Sequence, residues 1–216
     1  MKVAIITGAS RGIGLATAKK FLVEGWKVIG TYLNNPILVD STNLVSVRLD
    51  QGDPKSIAQA VKKIKKNTEK IDVLVNNAGV NPDGRDMTAD LGKIRKTFDV
   101  NLFGLIDLTE RLIVNMVRDS HIVNIDSNYG AFSFPIDDET AIGYRLSKAS
   151  LNMYTRTLAF RLRGEGIVVS SLDPGWVKTD MGMSVASETE QPDREPEEPA
   201  REIYTLVTTV TESGCF

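Results

Sequence analysis

The chain has 216 residues, a quarter of them charged, and a single cysteine, which fits one domain whose core stands without disulfides or metals. A formal net charge of −2 leaves no broad basic field for nucleic acid or anionic lipid, and no apolar run approaches the roughly 20 residues of a spanning helix. The Met-Lys start leads into a strand-like run rather than a secretory leader, and the lone Cys215 has no internal partner, so a reduced, cytoplasmic protein is expected.

Val3, Ala4, Ile5 and Ile6 form a continuous apolar run, the mark of a strand buried on both faces. It ends at the glycine-rich turn Thr7-Gly8-Ala9-Ser10-Arg11-Gly12-Ile13-Gly14. Ile13, Ala16, Ala18, Phe21 and Leu22 give the following helix a buried side, Gly25 stops it, and residues 26–32 read as the second strand. Residues 44–49 supply a third strand, a helix covers 54–69, and 72–75 form a fourth strand. In that helix Ile57, Val61 and Ile64 recur at helical spacing and turn Lys62, Lys63, Lys65 and Lys66 outward, so the lysine run is a solvated face. One long helix is expected over 91–117, then a strand at 122–125, a helix over 143–163 and a strand at 167–172. From 186 to 199 the composition turns to Glu, Asp, Ser and Pro, and the 183–199 stretch reads as an acidic, flexible, substrate-side loop within one domain spanning 1–216. A last helix covers 197–210. Strand-helix alternation means a parallel sheet covered on both faces. With right-handed crossovers and a glycine turn after the first strand, it favours a single-domain, doubly wound α/β fold of Rossmann type.

Gly8, Gly12 and Gly14 let the backbone turn sharply, approach a pyrophosphate and offer it helix N-terminal amides. Near the end of the second strand, where a carboxylate would hold a ribose 2′-hydroxyl, the chain has Tyr32, Leu33, Asn34 and Asn35. Arg11, inside the turn, is placed to meet a 2′-phosphate, so NADP(H) is preferred, with NAD(H) possible. Asn76-Asn77-Ala78-Gly79 follows the fourth strand, Ser127 ends the fifth and Asp173-Pro174-Gly175 the sixth, all on the side where ligands lie in an open α/β sheet. Tyr144 and Lys148 are four apart on one helix face, so the ammonium can favour the ionised phenol. His121 precedes a strand and reads as structural, Cys215 has no supporting base, and no ligand cluster suggests a metal.

With TGASRGIG, NNAG, Asn101, Ser127, YRLSK and PGWVKT in this order, the chain resembles the classical short-chain dehydrogenases/reductases over nearly its whole length. The Trp-Val-Lys-Thr-Asp-Met continuation is similar to the small carbonyl-reductase-like and C-signal-like branch. The resemblance implies a strand order of 3-2-1-4-5-6 and NADPH-dependent reduction of a ketone or aldehyde, or the reverse oxidation of an alcohol. By the same resemblance Ser127 bonds the substrate oxygen, Tyr144 exchanges its proton, Lys148 also holds the nicotinamide ribose and Asn101 positions a water. It also implies cofactor contacts from Gly8, Ser10, Arg11, Gly12, Ile13 and Gly14 along the turn, Asp50 near the adenine, and Asn77, Ala78 and Gly79 along the cofactor. Pro174, Gly175, Val177 and Thr179 complete that set. Pairing into a homodimer or homotetramer through the long helices is a further implication. The alternative function is a non-enzymatic signalling protein that binds the dinucleotide as a sensor.

Three features depart from the family pattern. Asp126 stands before Ser127, where a small or hydroxyl residue is usual. The Ser127 to Tyr144 interval is longer than the common one, and its extra residues, around 134–139, are expected to form a loop beside the substrate mouth. Ser213-Gly214-Cys215-Phe216 resembles the entry to a final strand, so a complete seventh strand is not expected.

Overall fold

The computed structural model describes residues 1–136 and 138–213. Six strands form one sheet: β1 (Val3–Ile6), β2 (Lys27–Tyr32), β3 (Leu44–Arg48), β4 (Ile71–Asn76), β5 (Met116–Ile125) and β6 (Val168–Leu172). Every pairing is parallel and the order is β3-β2-β1-β4-β5-β6. Parallel pairing requires crossovers, supplied by α1 (Gly12–Val23), α2 (Pro54–Asn67), α3 (Leu91–Phe98), α4 (Leu105–Ile113) and α5 (Ile142–Leu162). The short α6 (Asp180–Ser184) and the final α7 (Glu197–Thr209) follow β6.

Alternation along the central strands divides the core into two layers. Ile5, Ile29, Leu74 and Ile122 pack against Ile57, Ile64, Leu108, Leu112 and Leu158 from α2, α4 and α5. Ala4, Ile6, Val28, Val73, Val75 and Val123 face Ala18 and Phe21 of α1 and Ile203 of α7. Phe21 meets Trp26 and Tyr204 edge-on, with ring centroids 5.0 and 5.2 Å away, which locks α7 onto α1. Both sheet faces are therefore dry, and ligand access is left to the strand ends.

Two expected elements differ. The helix foreseen over 91–117 is α3, then a six-residue π-helical stretch, Asp99–Gly104, then α4, which ends at Ile113. The strand foreseen at 122–125 begins earlier, at Met116, pairs there with Ile71, and carries a register shift before Val73 meets His121. The lysines of α2 do point to solvent. The 183–199 stretch is largely irregular but stitched down. Arg194 pairs as an isolated bridge with Val177, donates to the Pro174 carbonyl at 2.7 Å and meets Glu198 and Glu202. β6 lies at the sheet edge, where Ser213 Oγ accepts from the Val169 amide at 3.1 Å. Asp137, and the strand entry foreseen at Gly214, Cys215 and Phe216, lie outside the described residues. Among the described residues no helix is long and apolar enough to cross a membrane, and no group of acidic, histidine or cysteine side chains could hold a metal.

Candidate active site

The carboxyl ends of β1, β4, β5 and β6 come together at one edge of the sheet. After β1, Gly8 and Gly12 take φ of +67° and +54°, values L side chains rarely adopt. A Cβ on Gly14 would sit 2.3 Å from the Gly8 carbonyl, so that glycine lets α1 start directly against the turn. Arg11 occupies the N-cap of α1 without a side-chain cap, which leaves the first-turn amides to an outside acceptor. Its guanidinium reaches the Asp180 carboxylate at 2.7 Å, with both side chains about three-quarters exposed, so the pair contributes little to stability and the arginine is free to exchange partners.

Thr7 ties the turn to the loop after β4. Its hydroxyl accepts from the Asn77 and Ala78 amides, both at 2.9 Å, and its carbonyl accepts from the Asn77 side chain at 2.8 Å. Gly79 lies 3.4 Å, measured from an ideal Cβ, from the Asn101 side-chain oxygen. Asn101 is buried in the π-helical stretch, where it accepts from the Val80 amide at 2.8 Å and donates to the Val80 carbonyl at 2.9 Å. The widened turn frees the Val100 carbonyl, and Gln51 donates to it at 2.8 Å. Asn101 also donates to Ser147 Oγ at 3.3 Å, and Ser147 Oγ to the Tyr144 carbonyl at 2.8 Å. A continuous polar chain thus runs from the glycine turn to α5.

Tyr144 stands in the first turn of α5 and Ser127 just beyond β5, near enough for the Ser127 hydroxyl to act on the phenol. The Lys148 ammonium lies over the Tyr144 ring, 5.4 Å from its centroid, and donates to the Ile125 carbonyl at 2.6 Å. Ser127, Tyr144, Lys148 and Asn101 are therefore assembled as their positions in the sequence suggest. One expectation needs correction. The Lys148 ammonium does not leave the phenol beside it lowered overall. Burial, then the negative charge of Asp126, holds Tyr144 well above the ordinary tyrosine range, while Ser127 pulls the other way. Burial also lowers Lys148 to about 8, against the opposing pull of Asp126 and Asp173.

The remaining expected positions lie on the same edge. Asp50 is half-buried after β3, its carboxylate accepting from the Gly52 amide at 3.0 Å. Ser10 and Ile13 are half-buried in the turn. Pro174 and Gly175 follow β6, with φ of +70° at Gly175. Val177 is buried, and Thr179 caps α6 through its hydroxyl and touches the space above Gly12. In the loop foreseen at 134–139, Asp138 pairs with Arg145 at 3.0 Å, and that guanidinium stacks 4.0 Å from the centre of the Tyr129 ring. His121 is buried inside β5 against Ser170 Oγ at 2.8 Å, away from the strand ends.

Two positioning residues escape the sequence reading. Gln51 precedes a helix cap and looks like ordinary loop. Asp83, in an Asn-Pro-Asp-Gly turn, looks like turn chemistry, yet it is buried, and its carboxylate accepts from the Gly143 amide at 2.5 Å while its carbonyl accepts from the Ala141 amide. It anchors the start of α5 one residue before Tyr144, beside an Ala141 strained into a left-handed φ of +57°.

A doubly wound parallel sheet with a glycine turn after β1 and polar groups gathered at its carboxyl edge defines the class: a Rossmann-type nucleotide-binding fold. The chain belongs to the short chain dehydrogenase family, whose model matches residues 2–190, and is an oxidoreductase of that family. It is similar to 3-oxoacyl-[acyl-carrier-protein] reductase of Synechocystis sp., 30% identical over 198 residues that cover 87% of this chain and 78% of that protein. Oxidoreductase UcpA of Escherichia coli is 33% identical over 205 residues, 90% of this chain and 76% of that protein. Among solved structures, a short chain dehydrogenase from Burkholderia cenocepacia in complex with NADP matches with a TM-score of 0.83 at 24% identity, over 100% of this chain and 96% of that one. A family member from Francisella tularensis matches at 0.86 and 23% identity, over 100% and 95%. At these identities the two structures establish the fold.

Proposed function

We propose that the chain is an NADPH-dependent reductase of ketones or aldehydes, reversible toward alcohol oxidation, with Tyr144 as the proton donor. The observation that carries this reading is the Lys148 ammonium over the Tyr144 phenol ring, with Ser127 acting on the same phenol, at the same strand edge as the uncapped glycine turn. The turn suits a dinucleotide pyrophosphate. Side chains are excluded there by positive φ at Gly8 and Gly12, and the α1 amides lack a side-chain cap. Gly8 to Gly14, Asn77 to Gly79, Tyr144, Lys148 and residues 174–179 would hold the cofactor, which supplies hydride when bound. Arg11 would turn from Asp180 to a 2′-phosphate, which favours NADP(H). The named similarity to a 3-oxoacyl reductase supports a ketone substrate.

In this reading Ser127 and Tyr144 donate to the carbonyl oxygen and stabilise the charge that develops on it. Tyr144 then gives up its proton. A phenol held above its ordinary range stays protonated at neutral pH, and a nearby ammonium limits the cost of its ionisation during turnover. Asn101, joined to α5 through Ser147, keeps the path toward Lys148 polar. The 183–199 stretch is assigned to the substrate side, and the exposed apolar residues Phe103, Leu146, Met153 and Phe160 on the long helices are assigned to subunit pairing. A carbonyl panel that includes an acetoacetyl thioester, followed by loss of NADPH absorbance, tests the proposal. Tight NADPH binding with no turnover on any member would favour the sensor alternative instead.

A further inference from the structure

Asp126 takes no part in that scheme, yet it is a buried carboxylate directly behind it. Along β5, Asn124 and Asp126 point to the same sheet face, toward α5. Asn124 donates to Thr155 Oγ1 at 2.9 Å, and the Asp126 carboxylate feels the Lys148 ammonium and the Asn152 amide of α5. Asn152 is four residues beyond Lys148, so the two groups that act on Asp126 lie one helical turn apart on α5. The Asp126 amide donates to the Leu172 carbonyl at 2.8 Å, pinning the backbone to β6. Of its neighbours on either side, the Ile125 carbonyl accepts from Lys148 and Ser127 acts on Tyr144. The residue is 7% exposed, and its Oδ1 has no hydrogen-bond partner. A carboxylate left partly unsatisfied in such a place is costly unless a charge compensates it.

We propose that Asp126 is a positioning residue that sets the charge state of the Lys148 and Tyr144 pair: its buried carboxylate, next in the chain to the Ile125 carbonyl that receives the ammonium, favours the charged amine and keeps the phenol protonated, so the acid form needed for carbonyl reduction persists to higher pH. The inference rests on the reading of Tyr144 as proton donor.

The titratable groups around the carboxylate are Lys148 and Tyr144 on α5 and Asp173 after β6. Burial pushes Asp126 up to about 6, so it is ionised at neutral pH. Its charge raises both Lys148 and Tyr144. Asp126→Asn removes that charge and lowers both groups, and both changes move the alkaline limb of the reduction rate toward acid. An opposite charge at close range is worth about one pH unit or more.

The test compares pH profiles for acetoacetyl thioester reduction by the parent chain, Asp126→Asn, Asp126→Ser and Asp126→Glu. Tyr144 ionisation is followed separately by tyrosinate absorbance, as the difference between each chain and its Tyr144→Phe counterpart. Expected are an acidward shift of about one pH unit in both readouts for Asn and Ser, and recovery with Glu. If one variant fails to fold, the other carries the test. An unmoved limb and an unmoved tyrosinate titration, with Tyr144→Phe inactive, would overturn the role of Asp126 alone. Activity retained by Tyr144→Phe would overturn the proton-donor reading and this inference with it.

Discussion

Gly104→Ala tests whether the π-helical stretch is what places Asn101. A Cβ at Gly104 would stand 1.7 Å from the Gln51 carbonyl oxygen and 2.9 Å from that of Asp99. Neither obstacle is a flexible side chain, so the π-helical stretch and the loop after β3 must separate by more than about an ångström. Overpacking of this kind costs about 2 to 3 kcal/mol. At about 2 to 4 °C per kcal/mol for a chain of this length, that is a fall of roughly 4 to 12 °C in melting temperature. The same movement pulls Val100 from Gln51 and shifts Asn101 from Val80, and a displacement on the order of 1 Å in catalytic machinery costs about 10²-fold in rate. Gly164→Ala, where a Cβ meets nothing within 4 Å, is the control and should leave both quantities unchanged. Melting curves and NADPH-linked turnover of the two variants decide the matter. If Gly104→Ala melts and turns over like Gly164→Ala, the packing account of the widened turn is wrong.

Tyr144→Phe should abolish turnover and leave NADPH affinity nearly unchanged, because it removes only the transferable proton; equilibrium binding and single-turnover assays separate the two. Arg11→Ala should lower kcat/KM with NADPH at least about tenfold, as expected for a lost charge-assisted contact, while NADH activity stays flat; an equal loss with both cofactors would contradict the 2′-phosphate role. His121 is held neutral down to about 4 by burial, against about 6.5 in an unfolded chain. Its contribution to stability is complete above pH 6.5 and lost as pH falls toward 4, to an extent of about 3 kcal/mol. His121→Gln, whose amide can still reach Ser170, should lose that dependence in urea titrations. Asp126, raised to about 6, acts in the opposite sense over the same window, so the readout is the difference between variant and parent.

What could be read from the sequence alone, and what could not, divides along a physical line. Val3 to Ile6 and residues 73–75 are apolar without interruption because both faces of a parallel strand are buried, so the sheet and its ligand edge follow from composition and order. The Tyr144 and Lys148 spacing is likewise a property of any helix. The break at Asp99–Gly104 is not. Leu102, Leu105, Leu108 and Leu112 continue a helical rhythm straight through it, and the turn is widened by contacts from Gln51, 49 residues away from Val100. The early start of β5 is hidden because Val117, Arg118 and Asp119 are exposed and show no alternation. Asp83 is hidden for a related reason: Pro-Asp-Gly marks a turn whatever the carboxylate later touches. The charge balance of the site depends on distant burial in the same way. Spacing puts an ammonium beside a phenol and argues for a lowered tyrosine, but the tertiary fold takes water from both groups and sets Asp126 behind them. Desolvation reverses the sign that adjacency alone suggests, and it yields a tyrosine suited to remain an acid rather than a base.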